Sequence, residues 1–492
     1  MKPFATKTSP MSHQLAAVEK VSPSRVAGLF MEMGTGKSLT AIELTRRRAA
    51  KIDKAVWFCP VSLKETVRQE IRKHTDCQNI DICVFNDKTT AKNLPSVAVR
   101  WYVVGIESMS SSNRVVAAVN SLVMEKTMVI LDESSYIKGH RSMRTERLTF
   151  ICGRAKYRLI LTGTPISQGV VDLFSQMRFL SPKILGYSSF YSFAANHLEY
   201  SERFPDMIVR SHNVEYLAAK VQPYVYQVTK EECLDLPKKL YETRYFSMTD
   251  EQRHYYELAK DEILSDLAED EWDSIAIFRL FSILQGIVCG FWNRRERRKK
   301  DERRKWSGNK EKEAPPVQRL EFNHARLEVL ADVIRMLPEN KKIIIWAKYQ
   351  YDIEEIGKAL EKIYGDGAVA YFYGALQPKK RTEQVEVFRG MARFFLATQS
   401  CGGHGLTLNE AHYVIFYNNA FKYSERLQAE DRCHRIGQED RVTYIDLVCS
   451  DSIDERIQSA LANKGNLVEE FKAEVNKVKD EKPKLRELIK AL

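Results

Sequence analysis

The feature that most constrains this chain is an alternation, made twice, between short β-rich runs and stretches with helical periodicity. In residues 1 to about 170 the runs AVWFCP, WYVVGI, TMVILDE and YRLILTGT are separated by stretches such as SLTAIELTRRRAA. The rhythm returns from about 325 to 450 in KKIIIWA, AVAYFYG, ARFFLAT, YVIFYNN and VTYIDLV. Continuous apolar runs of this length suit strands buried on both faces, and the helices between them cover a parallel sheet. The expectation is an α/β protein with two doubly wound, parallel-sheet lobes. From about 172 to 290 the strand runs largely stop. There TDEQRHYYELAKDEILSDLAEDEWDS shows a 3.6-residue period behind a Thr or Asp N-cap, so the middle region is expected to be helical.

Composition sets the outer bounds. A chain of 492 residues is too long for one ordinary domain, and 44% apolar content suffices for a core in each of two or three. No uninterrupted apolar stretch approaches the about eighteen residues of a membrane span, and the start MKPFATKTSPMSHQ lacks the apolar core of a signal peptide. A cytoplasmic protein with no membrane partner is expected. The nine cysteines form no CxxC pair and no His/Cys cluster at zinc spacing, so they read as reduced thiols, Cys433 being a small packed residue. A net charge of +11, from 76 Lys and Arg against 65 Asp and Glu, favours a polyanionic partner such as nucleic acid. Residues 293 to 316, NRRERRKKDERRKWSGNKEKEAPP, are read as a solvated helix and linker, with a DNA-facing basic patch as the alternative. The last forty residues suggest a helix or helical hairpin broken near Pro483.

Three local patterns carry chemistry. The first is Met33-Gly34-Thr35-Gly36-Lys37-Ser38, which follows the apolar run VAGLFM and opens a helix. Glycines let successive N–H groups turn toward a phosphate chain at the helix N-terminus, the lysine reaches the outer phosphates, and the serine hydroxyl is a ligand for Mg²⁺. The generic pattern has a Gly five residues before Gly36, where this chain has Met31. The second is Asp132-Glu133-Ser134-Ser135 at the end of the strand TMVIL. A parallel sheet places its chemistry at that end, with Asp132 holding Mg²⁺ through water and Glu133 orienting and deprotonating the attacking water. The third, in RLQAEDRCHRIGQ, is Gln428, Arg432 and Arg435, whose offsets of four and three set them on one helical face. Two guanidinium groups so placed repel each other without a shared anion, and a γ-phosphate leaving ADP is such an anion.

Together these pieces resemble superfamily 2 helicases, and in detail the Snf2 family. In chain order the resemblance covers His13-Gln14 as the Q motif, MGTGKS as motif I, Pro60-Val61-Ser62-Leu63 as motif Ia and GIESMS near 105 as motif Ib. It continues through DESS as motif II, Leu161-Thr162-Gly163-Thr164-Pro165 as motif III and IIIWAKYQ as motif IV. Gly402-Gly403-His404-Gly405-Leu406 matches motif V and QAEDRCHRIGQ motif VI. The resemblance implies two RecA-like lobes with Snf2-type helical insertions and a C-terminal helical brace. Its boundaries would be a first lobe at 1–228 with a protrusion at about 172–228, a linker and insertion at 229–320, a second lobe at 321–455, and a brace and tail at 456–492. It implies ATP and Mg²⁺ as cofactors, with Gln14 on adenine, the loop Met33 to Ser38 on the phosphates, and Ser38 and Asp132 on the metal. Gly405, Gln428, Arg432 and Arg435 would complete the ATP site from the second lobe, while Ser62, Ser108 and Thr407 would touch DNA.

The implied function is a minimal, monomeric motor of the bacterial or phage sort that hydrolyses ATP in a cleft between its lobes and moves along double-stranded DNA. In a eukaryotic cell it would be nuclear. The alternatives are a strand-separating helicase or remodeller of branched DNA, and a DNA-binding subunit that uses ATP as a switch. Two departures from the family stand out: Ser135 replaces the more common His of motif II, and YNNAFKYSERLQ replaces the tryptophan-rich segment of chromatin remodellers.

Overall fold

Each apolar run singled out above becomes a strand of a parallel sheet. The computed structural model describes residues 1–95, 99–166, 169–200, 208–266, 272–295, 317–402, 406–478 and 481–492. Two compact units divide the chain, Met1–Leu236 and Pro237–Leu492.

In the first unit the strands are β1 Val26–Met31, β2 Lys54–Cys59, β3 Ile82–Val84, β4 Trp101–Gly105, β5 Thr127–Leu131 and β6 Tyr157–Thr162. A short antiparallel pair follows, β7 Leu198–Tyr200 with β8 Ile208–Ser211, and then β9 Val225–Val228. The seven-stranded sheet runs β3-β4-β2-β5-β6-β1-β9 with every pairing parallel. Helices cover both faces. One apolar layer gathers Leu29, Ile42, Trp57 and Trp101, the other Phe58, Tyr102, Val129 and Leu180.

The second unit repeats the plan with β10 Leu240–Phe246, β11 Phe291–Arg295, β12 Val317–Glu321, β13 Lys342–Ala347, β14 Val369–Phe372, β15 Phe394–Thr398, β16 Ala411–Phe416 and β17 Thr443–Cys449. Six of these form a parallel sheet in the order β10-β17-β16-β13-β15-β14. The other two, β11 and β12, make a separate antiparallel pair. The long helices Asp250–Asp266 and Ser274–Val288 pack into the same core as the C-terminal helices Leu467–Val478 and Lys482–Lys490.

Two expectations are corrected. The middle region is not purely helical, because β9 and β10 extend the two sheets at their edges. An edge strand needs no long apolar run: six of the seven residues of β10 lie outside the buried core, and only Phe246 is buried. Asn293, Arg294 and Arg295 lie in β11 rather than in a solvated helix, while 296–316 fall outside the described residues. The C-terminal stretch holds two helices, Leu467–Val478 and Lys482–Lys490, that part near Pro483, the proline lying in the first turn of the second, where its missing N–H removes no bond. All nine cysteines are free, and among the described residues no helix is long and apolar enough to cross a membrane.

Candidate nucleotide-binding site

The phosphate loop follows from where β1 ends. After Met31 the chain turns through Gly34 and Gly36, both left-handed at φ +82° and +86°, and enters the helix Lys37–Arg48 with Gly36 as its N-cap. The helix start leaves its first N–H groups without intrahelical partners and carries the positive end of the dipole. Thr35 is buried; its hydroxyl donates to Glu32 O (2.7 Å), and its carbonyl lies 2.8 Å from His13 Nε2 and accepts Gln14 Nε2 at 3.1 Å. The left-handed φ favours glycine at Gly36, and a Cβ there would fall 2.0 Å from Gln14 Nε2, so the Gln14 side chain would have to shift to admit one. Gln14 is thus buried against the loop, its Oε1 accepting Met11 N at 2.9 Å. Lys37 Nζ donates to the carbonyls of Met31 (2.8 Å) and Glu32 (3.2 Å). Ser38 is half-buried. Met33 packs on Gly163, where a Cβ would meet Met33 Cγ at 3.2 Å, so LTGTP lies against the loop.

The acid pair sits where β5 ends. Asp132 Oδ1 accepts the N–H of Glu133 at 3.0 Å, and Oδ2 lies 3.4 Å from Trp57 Nε1. Burial and then the neighbouring Glu133 charge push the Asp132 carboxyl up, and the Lys37 charge opposes them. Glu133 has φ +50°, a left-handed conformation unusual for a side-chain-bearing residue and costing about 1–3 kcal/mol. Beyond it, Ser134 Oγ donates to Gln176 Oε1 (2.5 Å), and Gln176 Nε2 donates to Pro165 O and Asp172 O, both at 2.8 Å. Lys138 pairs with Asp172 (3.2 Å) and donates to Thr164 O (3.1 Å). Gln176 and Lys138 therefore stitch the DESS turn to the LTGTP turn. Sequence reading missed both, because neither has a local pattern; Ser135, by contrast, reaches only Glu133 O at 3.5 Å.

In the second unit the helix Tyr423–Glu430 stops before the arginines. Gln428 is on it, but Arg432 and Arg435 lie in the turns that follow, which corrects the expectation of one continuous helical face. Their convergence has another origin: Arg432 Nη1 (3.3 Å) and Arg435 Nη1 (2.9 Å) both donate to Leu406 O, and Arg432 Nε donates to Gln428 O at 3.0 Å. The helix is fixed from its other side by Glu430, which accepts Lys239 Nζ, Tyr241 OH and Arg426 Nε, each at 2.8 Å. Cys433 is fully buried, and burial pushes its thiol up. Gly405 lies outside the described residues.

Of the three weaker candidates, Ser62 lies in a single 3-10 turn, Val61–Leu63, Ser108 opens a short helix, Ser108–Ser111, and Thr407 lies in a loop. Ser62 is exposed and Ser108 half-buried, in the short helical segments that follow the adjacent strands β2 and β4. These turns touch: Val61 N donates to Glu107 Oε2 (2.9 Å), and a Cβ at Gly105 would fall 2.4 Å from Val61 Cγ2. Thr407 is half-buried, its carbonyl 3.5 Å from Arg389 Nη2. Among the described residues no group of three or more His, Cys, Asp or Glu could hold a metal ion unaided. Ser38 and Asp132 are hard oxygen donors, which suit Mg²⁺ when substrate phosphates supply further ligands.

A parallel sheet with a glycine loop at one strand end and an acid pair at another defines the P-loop class of proteins. The chain belongs to the SNF2-related family: the model of the SNF2-related domain matches residues 18–289, and that of the helicase conserved C-terminal domain matches 325–437. Among similar proteins, an uncharacterised ATP-dependent helicase of Mycoplasma genitalium is 26% identical over 69% of this chain. A putative ATP-dependent helicase/translocase of Bacillus subtilis is 25% identical over 69%, and an ISWI chromatin-remodelling complex ATPase of Saccharomyces cerevisiae is 25% identical over 88%. The chain spans 30%, 35% and 38% of the lengths of these three relatives. A solved Sulfolobus solfataricus SWI2/SNF2 ATPase core in complex with dsDNA is 21% identical, with 99% of this chain and 98% of that one covered, at a TM-score of 0.43.

Proposed function

We propose that this protein is an ATP-driven motor of the Snf2 type that moves along double-stranded DNA. The observation that carries the reading is the pairing of the Gly34–Lys37 loop with Asp132 and Glu133 on one parallel sheet, in a chain of this family. Lys37 and the helix N-terminus hold the ATP phosphates, and Gln14 braces the loop from behind. Ser38 and Asp132 would hold Mg²⁺, which would supply neutralisation of phosphate charge. Glu133 accepts a proton from the attacking water, and Gln428, Gly405, Arg432 and Arg435 are the residues that would meet negative charge developing on a phosphate. Ser62, Ser108 and Thr407 contact the DNA backbone, which positions the motor without reading base sequence.

Steady-state ATPase at low salt tests this, first without nucleic acid, then with single-stranded DNA, linear duplex, forked DNA and duplex RNA. Strong stimulation by duplex or forked DNA, abolished by Lys37→Ala in a folded protein, is the expected result. A folded wild-type chain that none of these stimulates would instead be a subunit that uses ATP as a switch.

A further inference from the structure

The second unit holds a feature that the motor cycle does not use. A cavity of about 720 Å³ opens in the second unit between the helix Ser274–Val288 and the β11–β12 pair. Its floor is Tyr349, two residues beyond β13, within the segment read as motif IV. Three arginines line it, Arg279, Arg294 and Arg319, against one carboxylate, Glu262, which is already paired with Arg294. Arg279 is exposed and has no ion-pair partner among the described residues. Arg319 is exposed too and donates only to Asn293 Oδ1 across the hairpin, at 3.3 Å. Arg294 lies over the buried Trp292 at 5.2 Å, and Phe278, also lining the cavity, leaves 49% of its surface open.

We infer that this groove binds an unpaired DNA strand at a junction between duplex and single strand, with the β11–β12 hairpin as the wall beside which the strands part. The inference rests on the motor reading above. A duplex offers a protein mainly its phosphates, so a half-exposed ring between cations gains nothing from it. An unstacked base, in contrast, lays a π-face on such a ring while its phosphates meet the arginines. The volume is that of a small-molecule pocket, large enough for a few bases of one strand but not for a double helix. The two strands flank the segment 296–316, which holds nine Lys and Arg against five Asp and Glu, so the local sequence also favours a polyanion.

The test is fluorescence anisotropy of the full chain with three labelled probes: oligo-dT, a blunt duplex, and a fork of the same duplex with single-stranded tails. The wild type is expected to bind the fork more tightly than the blunt duplex. The double variant Arg279→Glu/Arg319→Glu, with both changes on exposed positions, weakens oligo-dT and fork binding about tenfold or more and leaves the blunt duplex unaffected. It also lowers the salt slope for oligo-dT by about 1 to 2. Phe278→Ala lowers oligo-dT affinity about tenfold without changing that slope, which separates stacking from charge. Equal loss for fork and duplex would make the groove a general duplex contact and overturn the inference. No loss on any probe would overturn it as well and leave the groove to a polyanion other than DNA. A wild type that binds none of the probes defeats the motor reading itself, a distinct outcome.

Discussion

At the scale of single residues, Glu133 combines a left-handed backbone with a position one residue past the strand end, and its strain is held by a turn that Gln176 and Lys138 pin from outside. Glu133→Gln keeps size and backbone while removing the proton acceptor. Turnover is expected to fall by about 10² to 10⁴, with ATP binding and the melting temperature retained. Fluorescent-nucleotide titration beside steady-state hydrolysis checks it; substantial residual hydrolysis in the folded variant removes Glu133 from that role. A second residue sets a pH dependence. Asp352 is fully buried, its Oδ2 accepts Asn418 Nδ2 (2.6 Å) and Tyr349 N (3.3 Å), and its Oδ1 has no hydrogen-bond partner among the described residues. Burial pushes this carboxyl up to about 7, outweighing Asn418 and Arg326. A raised folded pKa means that its favourable contribution is complete below the unfolded value near 4 and is lost as pH rises through 7. Between pH 4 and 8 the wild type should therefore lose roughly 4 kcal/mol relative to Asp352→Asn, measured by urea unfolding at each pH. The glycine loop and acid pair were legible in sequence because each is contiguous and its spacing is its mechanism. Trp57, Lys138 and Gln176 were not, because they reach the site from 75, 26 and 42 residues away along the chain from their partners.

At the scale of elements, the same distinction separates central strands from edges. Strands buried on both faces, such as β2, β5, β13 and β15, announce themselves as apolar runs. The edge strand β10, LYETRYF, has its charged residues facing water and is legible only once β17 is there to pair with it. The end of the helix at Glu430 was hidden for a related reason: the helical spacing of Gln428, Arg432 and Arg435 persists in sequence, but beyond Glu430 the backbone runs in tighter turns, Arg432 N donating to Ala429 O and Cys433 N to Glu430 O. What ties elements together in the second unit is buried charge. Arg326, with no exposure, pairs with Asp454 and donates to the carbonyls of Tyr417 and Leu447, joining the helix Arg326–Met336 to β17 and to the helix Ile453–Ala462. Arg326→Ala leaves Asp454 buried and uncompensated, at a cost of about 3–5 kcal/mol. The double variant Arg326→Met/Asp454→Leu is expected to recover most of that loss, because it removes both charges and keeps volume. Chemical denaturation of the two variants decides between a broken pair and a lost packing contact.

At the scale of the whole molecule, the net charge of +11 bears on how binding responds to salt. Each phosphate neutralised on duplex DNA releases condensed counterions, so the logarithm of the binding constant falls with the logarithm of salt with a slope of about −0.9 per contact. A motor that grips the backbone through about six phosphates loses about 10³ in affinity between 50 and 200 mM salt. Glu133→Gln allows this to be measured without turnover, by titrating a labelled duplex with the variant and ATP at several KCl concentrations. The slope gives the number of contacts directly. Because phosphates position and bases specify, AT-rich and GC-rich duplexes of equal length should give the same slope and nearly the same intercept. If the slope were instead close to zero, the positive charge would be spread over the surface without forming a track. A steep slope that differs between the two sequences would mean groove contacts, which neither Ser62 nor Ser108 in short helical segments after β2 and β4 is built to make.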